Sequence, residues 1–253
     1  MAAGAALITG ASSGIGREIA HLCAAAGYPV VLLARNEAAL HDLASQLGPQ
    51  ARVLEADLSD PAAPAAIFDQ LRGVDVELLI NNAGFGLRGP FAETGWDAES
   101  RLIQVNVVAL AYLTKLLLPG MLQRRSGRIL NVASTAAFVP GPFMAAYYAS
   151  KAFVRSFSES LAEEVAGSGV TVTVLCPGPT ETAFADRAGI GTSPLFRGSV
   201  MSARDVARIG FDAMMSGKRE VIAGGRNRAM MFFTRFAPRS VMAKVTGRLN
   251  GGD

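Results

Sequence analysis

The chain has 253 residues, half of them hydrophobic and 18% charged, with a formal net charge of +3. This length and composition are typical of one globular α/β domain, and they exclude a disordered or fibrous chain. The charge is too small and too scattered to indicate a nucleic-acid partner. Cys23 and Cys176 have no metal-ligand spacing and lie in apolar segments, so we expect buried thiols and a reducing, cytoplasmic location.

Short apolar runs alternate along the chain with longer helical patterns, and the runs lack the polar–apolar alternation of half-exposed strands. We predict seven strands, at Ala5–Thr9, Val30–Ala34, Arg52–Glu55, Glu77–Ile80, Arg128–Ala133, Val170–Leu175 and Glu220–Ala223. Helices are predicted at 15–26, 36–47, 61–72, 96–118, 147–167 and 203–216. The alternation predicts an α/β fold of the Rossmann type, a doubly wound parallel sheet of about seven strands with helices on both faces, in one domain over 1–253.

Prolines and glycines set several of these boundaries. Asp60 followed by Pro61 predicts a cap and a first helical proline for the third helix, and Gly48 followed by Pro49 ends the second. The apolar stretch 105–118 carries polar residues and precedes Pro119, which we expect to end a core helix rather than a membrane span. No basic region precedes the first apolar run, so we predict no signal peptide.

The first predicted strand runs into a glycine-rich turn that opens the first helix. Helix N-termini favour anions, and glycine lets the backbone approach a phosphate closely. The spacing G-x-x-x-G-x-G differs from the commoner G-x-G-x-x-G, and a purely structural turn is the alternative. We predict that this turn binds the pyrophosphate of a dinucleotide through Gly10, Ser12, Ser13, Gly14, Ile15 and Gly16.

The second predicted strand ends in Ala34, followed by Arg35 and Asn36. Sites for NAD place an acidic residue at this point, whereas sites for NADP use arginine to bind the 2′-phosphate. The chain has no carboxylate at position 34 and a cation at 35, so we predict NADP(H) as the cofactor, held by Arg35 and Asn36. A solvated surface arginine is the alternative.

Two further polar clusters follow the third and fourth predicted strands. Asp57 and Leu58 come after the third, where a carboxylate can accept a hydrogen bond from an adenine amino group. Asn81, Asn82, Ala83 and Gly84 come after the fourth. Ligands of open parallel sheets bind beyond the carboxyl ends of the strands, so both clusters are predicted to bind the cofactor. Each taken singly is also compatible with an ordinary turn.

Ser134 ends the fifth predicted strand, and Tyr147 and Lys151 lie four residues apart on the following helix, hence on one helix face. A nearby ammonium lowers the pKa of a phenol from about 10 and makes it a usable acid/base. Ser134 is then placed to hold the substrate oxygen. Tyr148 is the competing tyrosine, but only Tyr147 is four residues before the lysine.

In the fourth helix, Asn106 is an amide in an apolar stretch and needs a partner if buried.

Together these motifs resemble the short-chain dehydrogenase/reductase family in its shorter form, over residues 5 to about 223. The resemblance implies that Tyr147 exchanges the proton with the carbonyl or alcohol oxygen, with Ser134 as its partner. It further implies that Lys151 binds the nicotinamide ribose and tunes Tyr147, and that Asn106 holds a water in a proton relay. Pro177, Gly178 and Thr182 would hold the carboxamide end of the nicotinamide.

Residues 225–253 form a basic, apolar extension, since 224–253 carries six basic residues and one acid. Pro238 is expected to split the extension into two short helices. Packing on its own subunit or across a dimer is favoured, and attachment to a membrane surface is the alternative. Helix 99–118 is apolar nearly all round, and the helix after Tyr147 carries Phe153, Val154, Phe157 and Leu161. One domain can bury only one face of each helix, which predicts a homodimer or homotetramer.

The expected substrate is a small, apolar carbonyl or alcohol compound. Its pocket is predicted from Phe85, Leu87, Phe138, Phe143, Met144, Phe184, Leu195 and Phe196. The favoured function is an NADPH-dependent oxidoreductase. A non-catalytic NADP(H)-binding regulator and a peripheral membrane or scaffold protein are the alternatives.

Overall fold

A computed structural model describes residues 4–182, 184, 188 and 200–251 of the chain. Its strands are β1 Ala5–Thr9, β2 Val30–Ala34, β3 Ala51–Glu55, β4 Val76–Asn81, β5 Gly127–Val132, β6 Val170–Cys176, β7 Thr180–Glu181, β8 Met201–Ser202 and β9 Glu220–Ile222. Seven of them form one parallel sheet in the order β3-β2-β1-β4-β5-β6-β9. The predicted strands and the doubly wound topology are thereby confirmed. The short β7–β8 pair was not predicted from the sequence.

The helices are α1 Gly14–Ala25, α2 Glu37–Leu47, α3 Ala63–Gln70, α4 Trp96–Ile103, α5 Leu110–Arg124, α6 Ala145–Glu164, α7 Ala203–Met215, α8 Gly225–Phe233 and α9 Arg239–Gly251. One core lies between the sheet and α1, α2 and α7, and a second lies on the opposite face beneath α3, α5 and α6. Both faces of the central strands are therefore covered, which explains why their sequences lack alternation.

Two predicted helix boundaries are wrong. The third helix begins at Ala63, with Pro64 rather than Pro61 in its first turn. The Asp60 carboxylate instead accepts the N–H of Ala62 at 2.9 Å and closes a separate turn before the helix. The fifth helix continues through Pro119 to Arg124, because Met121 is fully buried in the core and its packing outweighs the lost backbone hydrogen bond.

The predicted helix 96–118 appears as α4 and α5, joined by a π-helical turn at Gln104–Ala109. In the described part of the chain, Trp96–Arg124 is the one continuous helix with the length and apolar character to cross a membrane. A core helix passes the same test, and the inner side of α5 is buried against the sheet through Leu113, Leu117 and Met121. This burial agrees with the predicted core helix.

The C-terminal extension forms two helices, α8 and α9, separated at Pro238 as predicted. The inner side of α9 packs on the chain's own loop 140–143: Thr246 donates to the Pro140 carbonyl at 2.5 Å, and the Asn250 amide donates to the Pro142 carbonyl at 3.0 Å. Part of the extension therefore packs on its own subunit. Cys23 and Cys176 are buried free thiols, as expected; the cytoplasmic location stays a prediction.

Candidate active site

The predicted site residues lie at the edge of the sheet where the parallel strands end, and Thr9 links two of those ends. Its hydroxyl donates to the Ile80 carbonyl at 3.2 Å and accepts the N–H groups of Asn82 and Ala83 at 3.0 and 2.9 Å. The Asn82 amide donates back to the Thr9 carbonyl at 2.9 Å. These hydrogen bonds therefore connect the turns after β1 and β4 and fix the position of one relative to the other.

At several positions of the glycine-rich turn, the backbone conformation or the available space suits only glycine. Gly10 and Gly14 have φ angles of +67° and +56°, a region that costs little only for glycine. A Cβ on Gly16 would lie 2.4 Å from the Asn82 amide and 2.5 Å from the Gly10 carbonyl oxygen. A Cβ on Gly14 would lie 2.9 Å from the Thr182 side chain, so two residues predicted separately are neighbours.

Arg35 lies beyond β2 with 68% of its side chain exposed, and its guanidinium is 4.0 Å from the Asp57 carboxylate. Partial burial acts to raise the pKa of Asp57, but hydrogen bonds from Ser59 and the nearby Arg35 charge outweigh it and lower that pKa. The Asn36 side chain caps α2 by accepting the N–H of Ala39 at 3.0 Å. The Leu58 side chain packs in the core, so only its backbone faces this edge.

The central group is buried Tyr147, whose hydroxyl is near enough to the Ser134 side chain for that side chain to lower the Tyr147 pKa. Ser134 follows β5; its hydroxyl accepts the N–H of Ala136 at 3.1 Å and lies 3.4 Å from the Pro177 carbonyl, to which it donates. One helical turn after Tyr147, the Lys151 ammonium donates to the Val132 carbonyl at 2.9 Å and lies 6.0 Å from the Tyr147 ring centre. The structure thus brings together the three residues that the sequence separated by up to 17 positions.

Asn106 lies on the π-helical turn, a distortion that often marks functional sites. Its amide oxygen accepts the N–H of Phe85 at 3.1 Å, and its nitrogen donates to the Phe85 carbonyl and the Ser150 hydroxyl at 3.0 and 3.1 Å. A Cβ on Gly84 would lie 3.1 Å from the Asn106 oxygen and 3.3 Å from the Lys151 nitrogen. Glycine at position 84 therefore lets the backbone pass closely between these two polar groups.

Burial dominates the ionisation of the central pair. It raises the pKa of Tyr147 to about 12, and the hydrogen bond with Ser134 offsets only part of that rise. It lowers the pKa of Lys151 to about 8. The expectation that Lys151 alone brings the Tyr147 pKa below its ordinary value is therefore wrong for the free chain, because desolvation of the phenolate exceeds any gain from an ammonium that is itself desolvated.

An apolar cluster packs around Tyr147. The Phe184 ring packs on Tyr147 with 5.4 Å between ring centres. Other members of the cluster are Phe85, Leu87, Leu102, Ala136, Met144, Tyr148 and Ala188. Phe138 is misassigned by the prediction: it packs elsewhere, with the Arg155 guanidinium 4.2 Å from its ring centre. Leu195 and Phe196 lie outside the described residues.

A family model described as short chain dehydrogenase matches residues 4–190 of the chain. The chain belongs to the short-chain dehydrogenase family. Among its relatives, mouse dehydrogenase/reductase SDR family member 7B is 35% identical over 232 residues, which cover 85% of this chain and 72% of that protein. A very-long-chain 3-oxoacyl-CoA reductase from Laccaria bicolor is 41% identical over 175 residues, covering 66% of this chain and 52% of the fungal protein.

A solved short-chain dehydrogenase has the same fold along nearly its whole length. The enzyme from Sphingobium yanoikuyae, in complex with NADPH, superimposes with a TM-score of 0.84 at 33% identity, covering 95% of both chains. These relationships make the chain an oxidoreductase of carbonyl and alcohol groups that uses a nicotinamide dinucleotide.

The residues at the strand ends fit such a dinucleotide. The N-terminus of α1 and the glycine turn offer backbone N–H groups with no side chain in the way. Exposed Arg35 lies beyond the neighbouring strand, and Thr182 closes the cleft beside Gly14. Gly178, predicted to meet the nicotinamide, is backed by Asn227 of α8, whose amide nitrogen would lie 2.4 Å from a Cβ at that position.

Asn81 belongs to the predicted cluster after the fourth strand, but the residues that it binds behind the site were not predicted. Asn81 donates to the side-chain oxygens of Asn131 and Thr114 at 2.9 and 3.0 Å, and Asn131 donates to Ser158 at 2.9 Å. This buried network links β4, β5, α5 and α6 behind Ser134. The one sequence signal for it is an asparagine inside a strand that is otherwise apolar, since a buried amide requires partners.

Proposed function

We propose that the chain is an NADP(H)-dependent oxidoreductase that interconverts a carbonyl and an alcohol on a small, apolar substrate, with Tyr147 as the acid/base. The observation that carries this proposal is the placement of buried Tyr147 one helical turn from Lys151, beside Ser134 and enclosed by apolar side chains. A bound nicotinamide supplies or accepts the hydride.

In the direction of reduction, Ser134 holds the substrate oxygen, and the Tyr147 phenol gives its proton to that oxygen as negative charge develops there. The high pKa of Tyr147 keeps it protonated at neutral pH, which is the form that reduction requires. Phe184 and Met144 exclude water from this step. Lys151 and Asn106 are themselves held in place, Lys151 by the Val132 carbonyl and Asn106 by the Ser150 hydroxyl.

The test of this function is NADPH oxidation against a panel of carbonyl compounds matched in size and graded in polarity. Turnover of apolar ketones or aldehydes in preference to charged ones is the expected result, because the described pocket residues are apolar. A chain that binds NADPH but turns over no member of the panel would favour the non-catalytic regulator instead.

Arg35 is expected to set the preference for NADPH over NADH. Its contact with Asp57 is long and exposed, so the guanidinium is available to a 2′-phosphate. Replacing Arg35 with alanine removes charge-assisted hydrogen bonds of about 1.5–3 kcal/mol, which weakens NADPH binding by about 10- to 100-fold and leaves NADH binding unchanged. Arg72→Ala, at an exposed arginine on the loop after α3, is the control. Equal affinity of the native chain for the two cofactors contradicts the assignment.

We also propose that the outer sides of α4, α5 and α6 form the contact of a homodimer, or of one pair within a homotetramer. Ile103, Val108, Tyr112 and Phe153 are 36–42% exposed there, and the Phe153 ring stacks on Phe157. Light scattering at micromolar concentration is expected to give at least twice the chain mass, and Phe153→Arg to reduce that mass by half. A monomeric native chain rules this contact out.

A further inference from the structure

The C-terminal extension presents an aromatic patch, made of Met230, Phe232, Phe233 and Phe236, on the surface of the protomer. These side chains are 47%, 52%, 67% and 74% exposed, whereas Met231 of the same helix is buried. The Phe232 ring contacts both Phe233 and Phe236, with ring centres 5.8 and 5.6 Å apart. Contiguous exposed aromatic rings of this kind mark an interaction surface rather than isolated surface residues.

The same extension is strongly cationic. Arg226, Arg228, Arg235, Arg239, Lys244 and Arg248 are all exposed, and within residues 4–182 and 200–251 none of them forms an ion pair. The one acid of the segment 224–253 is Asp253, at the C-terminus. The aromatic patch therefore lies on a segment whose charges favour an anionic partner.

The patch is held on the body of the protein rather than on a free chain end. On one side, Met231 is buried and the Asn227 amide donates to the Ala223 carbonyl at 2.7 Å. On the other side, α9 is hydrogen-bonded to the loop 140–143 through Thr246 and Asn250. Both helices thus present a fixed surface, which lowers the entropy cost of binding.

A second copy of the chain is a poor partner for this surface. A two-fold contact brings the same residues together from both subunits, so Arg235 and Arg239 would face a surface of the same charge. The face around Val108 and Phe153, in contrast, exposes apolar side chains suited to such a contact. The charge of the extension therefore indicates a partner other than a second copy of the chain, and we assign the contact between copies to the outer sides of α4–α6.

We propose that the aromatic patch and the six cations around it bind the surface of an anionic lipid bilayer. Aromatic side chains enter the boundary between headgroups and acyl chains, while arginine and lysine remain at the level of the phosphates. Each cation near an anionic leaflet raises the affinity by about fivefold, so charge and apolar contact act together. This binding is independent of the proposed redox chemistry, which uses none of these residues.

Vesicle co-sedimentation of the full chain tests the proposal. Binding is expected to vesicles of phosphatidylcholine with phosphatidylglycerol, to fall steeply with added salt, and to be weak for phosphatidylcholine alone. The double variant Phe233→Ser/Phe236→Ser is expected to lose at least about tenfold in affinity. Phe91→Ser, at a 60% exposed phenylalanine outside the patch, is the matched control and retains binding.

The contribution of charge is tested by Arg235→Glu/Arg239→Glu, expected to lower the affinity for anionic vesicles by more than about tenfold. The matched control is Arg204→Glu/Arg208→Glu, two exposed arginines one turn apart on α7. The proposal is overturned if the native chain does not sediment with anionic vesicles, or if the control pairs lose as much as the patch variants. Loss of an oligomer on Phe233→Ser/Phe236→Ser, without vesicle binding by the native chain, assigns the patch to a second copy instead.

Discussion

Replacing Tyr147 with phenylalanine is expected to lower kcat by about 10²- to 10⁴-fold while leaving NADPH affinity within a few-fold of the native value. The substitution removes only the phenolic oxygen, so the packing of the ring on Phe184 and the fold of α6 are retained. What is lost is the proton given to the substrate oxygen and the polar interaction of the phenol with Ser134. Steady-state kinetics with any substrate from the carbonyl panel, together with a cofactor titration, measure both quantities.

Tyr148 provides a matched control, because it is the adjacent residue and is buried to the same extent. Its hydroxyl donates to Asn250 of α9 at 3.3 Å, and its ring covers Gly141. Tyr148→Phe is therefore expected to keep kcat within a few-fold and to cost about 1 kcal/mol of stability through one lost hydrogen bond. An inactive Tyr148→Phe beside an active Tyr147→Phe would show that the wrong tyrosine has been assigned.

The two directions of the reaction should respond differently to pH. Because burial holds the pKa of Tyr147 near 12, reduction, which needs the phenol, is not limited by its protonation at neutral pH. Oxidation needs the phenolate, so its rate is expected to rise with pH over the whole alkaline range. If the residual oxidation rate of Tyr147→Phe does not rise with pH, the pH dependence of the native enzyme is assigned to the Tyr147 phenol.

The strands of the sheet could be predicted well from the sequence, and the ends of the helices could be predicted less well. The five inner strands are short apolar runs buried on both faces, a pattern that few other structures produce, and β1 and β2 match their predicted bounds. The helix ends failed where tertiary contacts override local signals. Pro119 is a strong local stop, yet the burial of Met121 carries α5 past it.

The site was predictable to the extent that its residues follow strands. Ser134 and Asn82 come at strand ends, and parallel strands bring their carboxyl ends to one edge. The positions of Tyr148 and Asn250 were not predictable, because their hydrogen bond joins residues 102 positions apart and depends on how α9 folds back. The pKa values of Tyr147 and Lys151 were not predictable either. The four-residue spacing places the lysine near the tyrosine, but it does not show how far burial desolvates the two side chains.

Lys151 is expected to destabilise the fold of the chain without cofactor, because its charge is buried. Burial lowers its pKa from 10.5 to about 8, so keeping the ammonium inside the fold at pH 7 costs about 3 kcal/mol, at about 1.4 kcal/mol for each pH unit. Lys151→Met keeps the length of the side chain and removes the charge, but loses the charge-assisted hydrogen bond to the Val132 carbonyl, about 1.5–3 kcal/mol. The net gain is at most about 1.5 kcal/mol and should raise Tm by no more than about 6 °C at pH 7 while catalysis is lost.

The pH dependence of this difference identifies its cause. Between about pH 8 and 10.5 the folded native chain has released the Lys151 proton while the unfolded chain still holds it, so native stability rises with pH across that window. The Tm advantage of Lys151→Met over the native chain is therefore expected to shrink, and then to reverse, as the pH is raised from 7 to 10, since only the lost hydrogen bond then remains. Exposed Lys218→Met is the control and should show no such trend. A Tm difference that stays constant from pH 7 to 10 would show that the buried charge is not what destabilises the native fold.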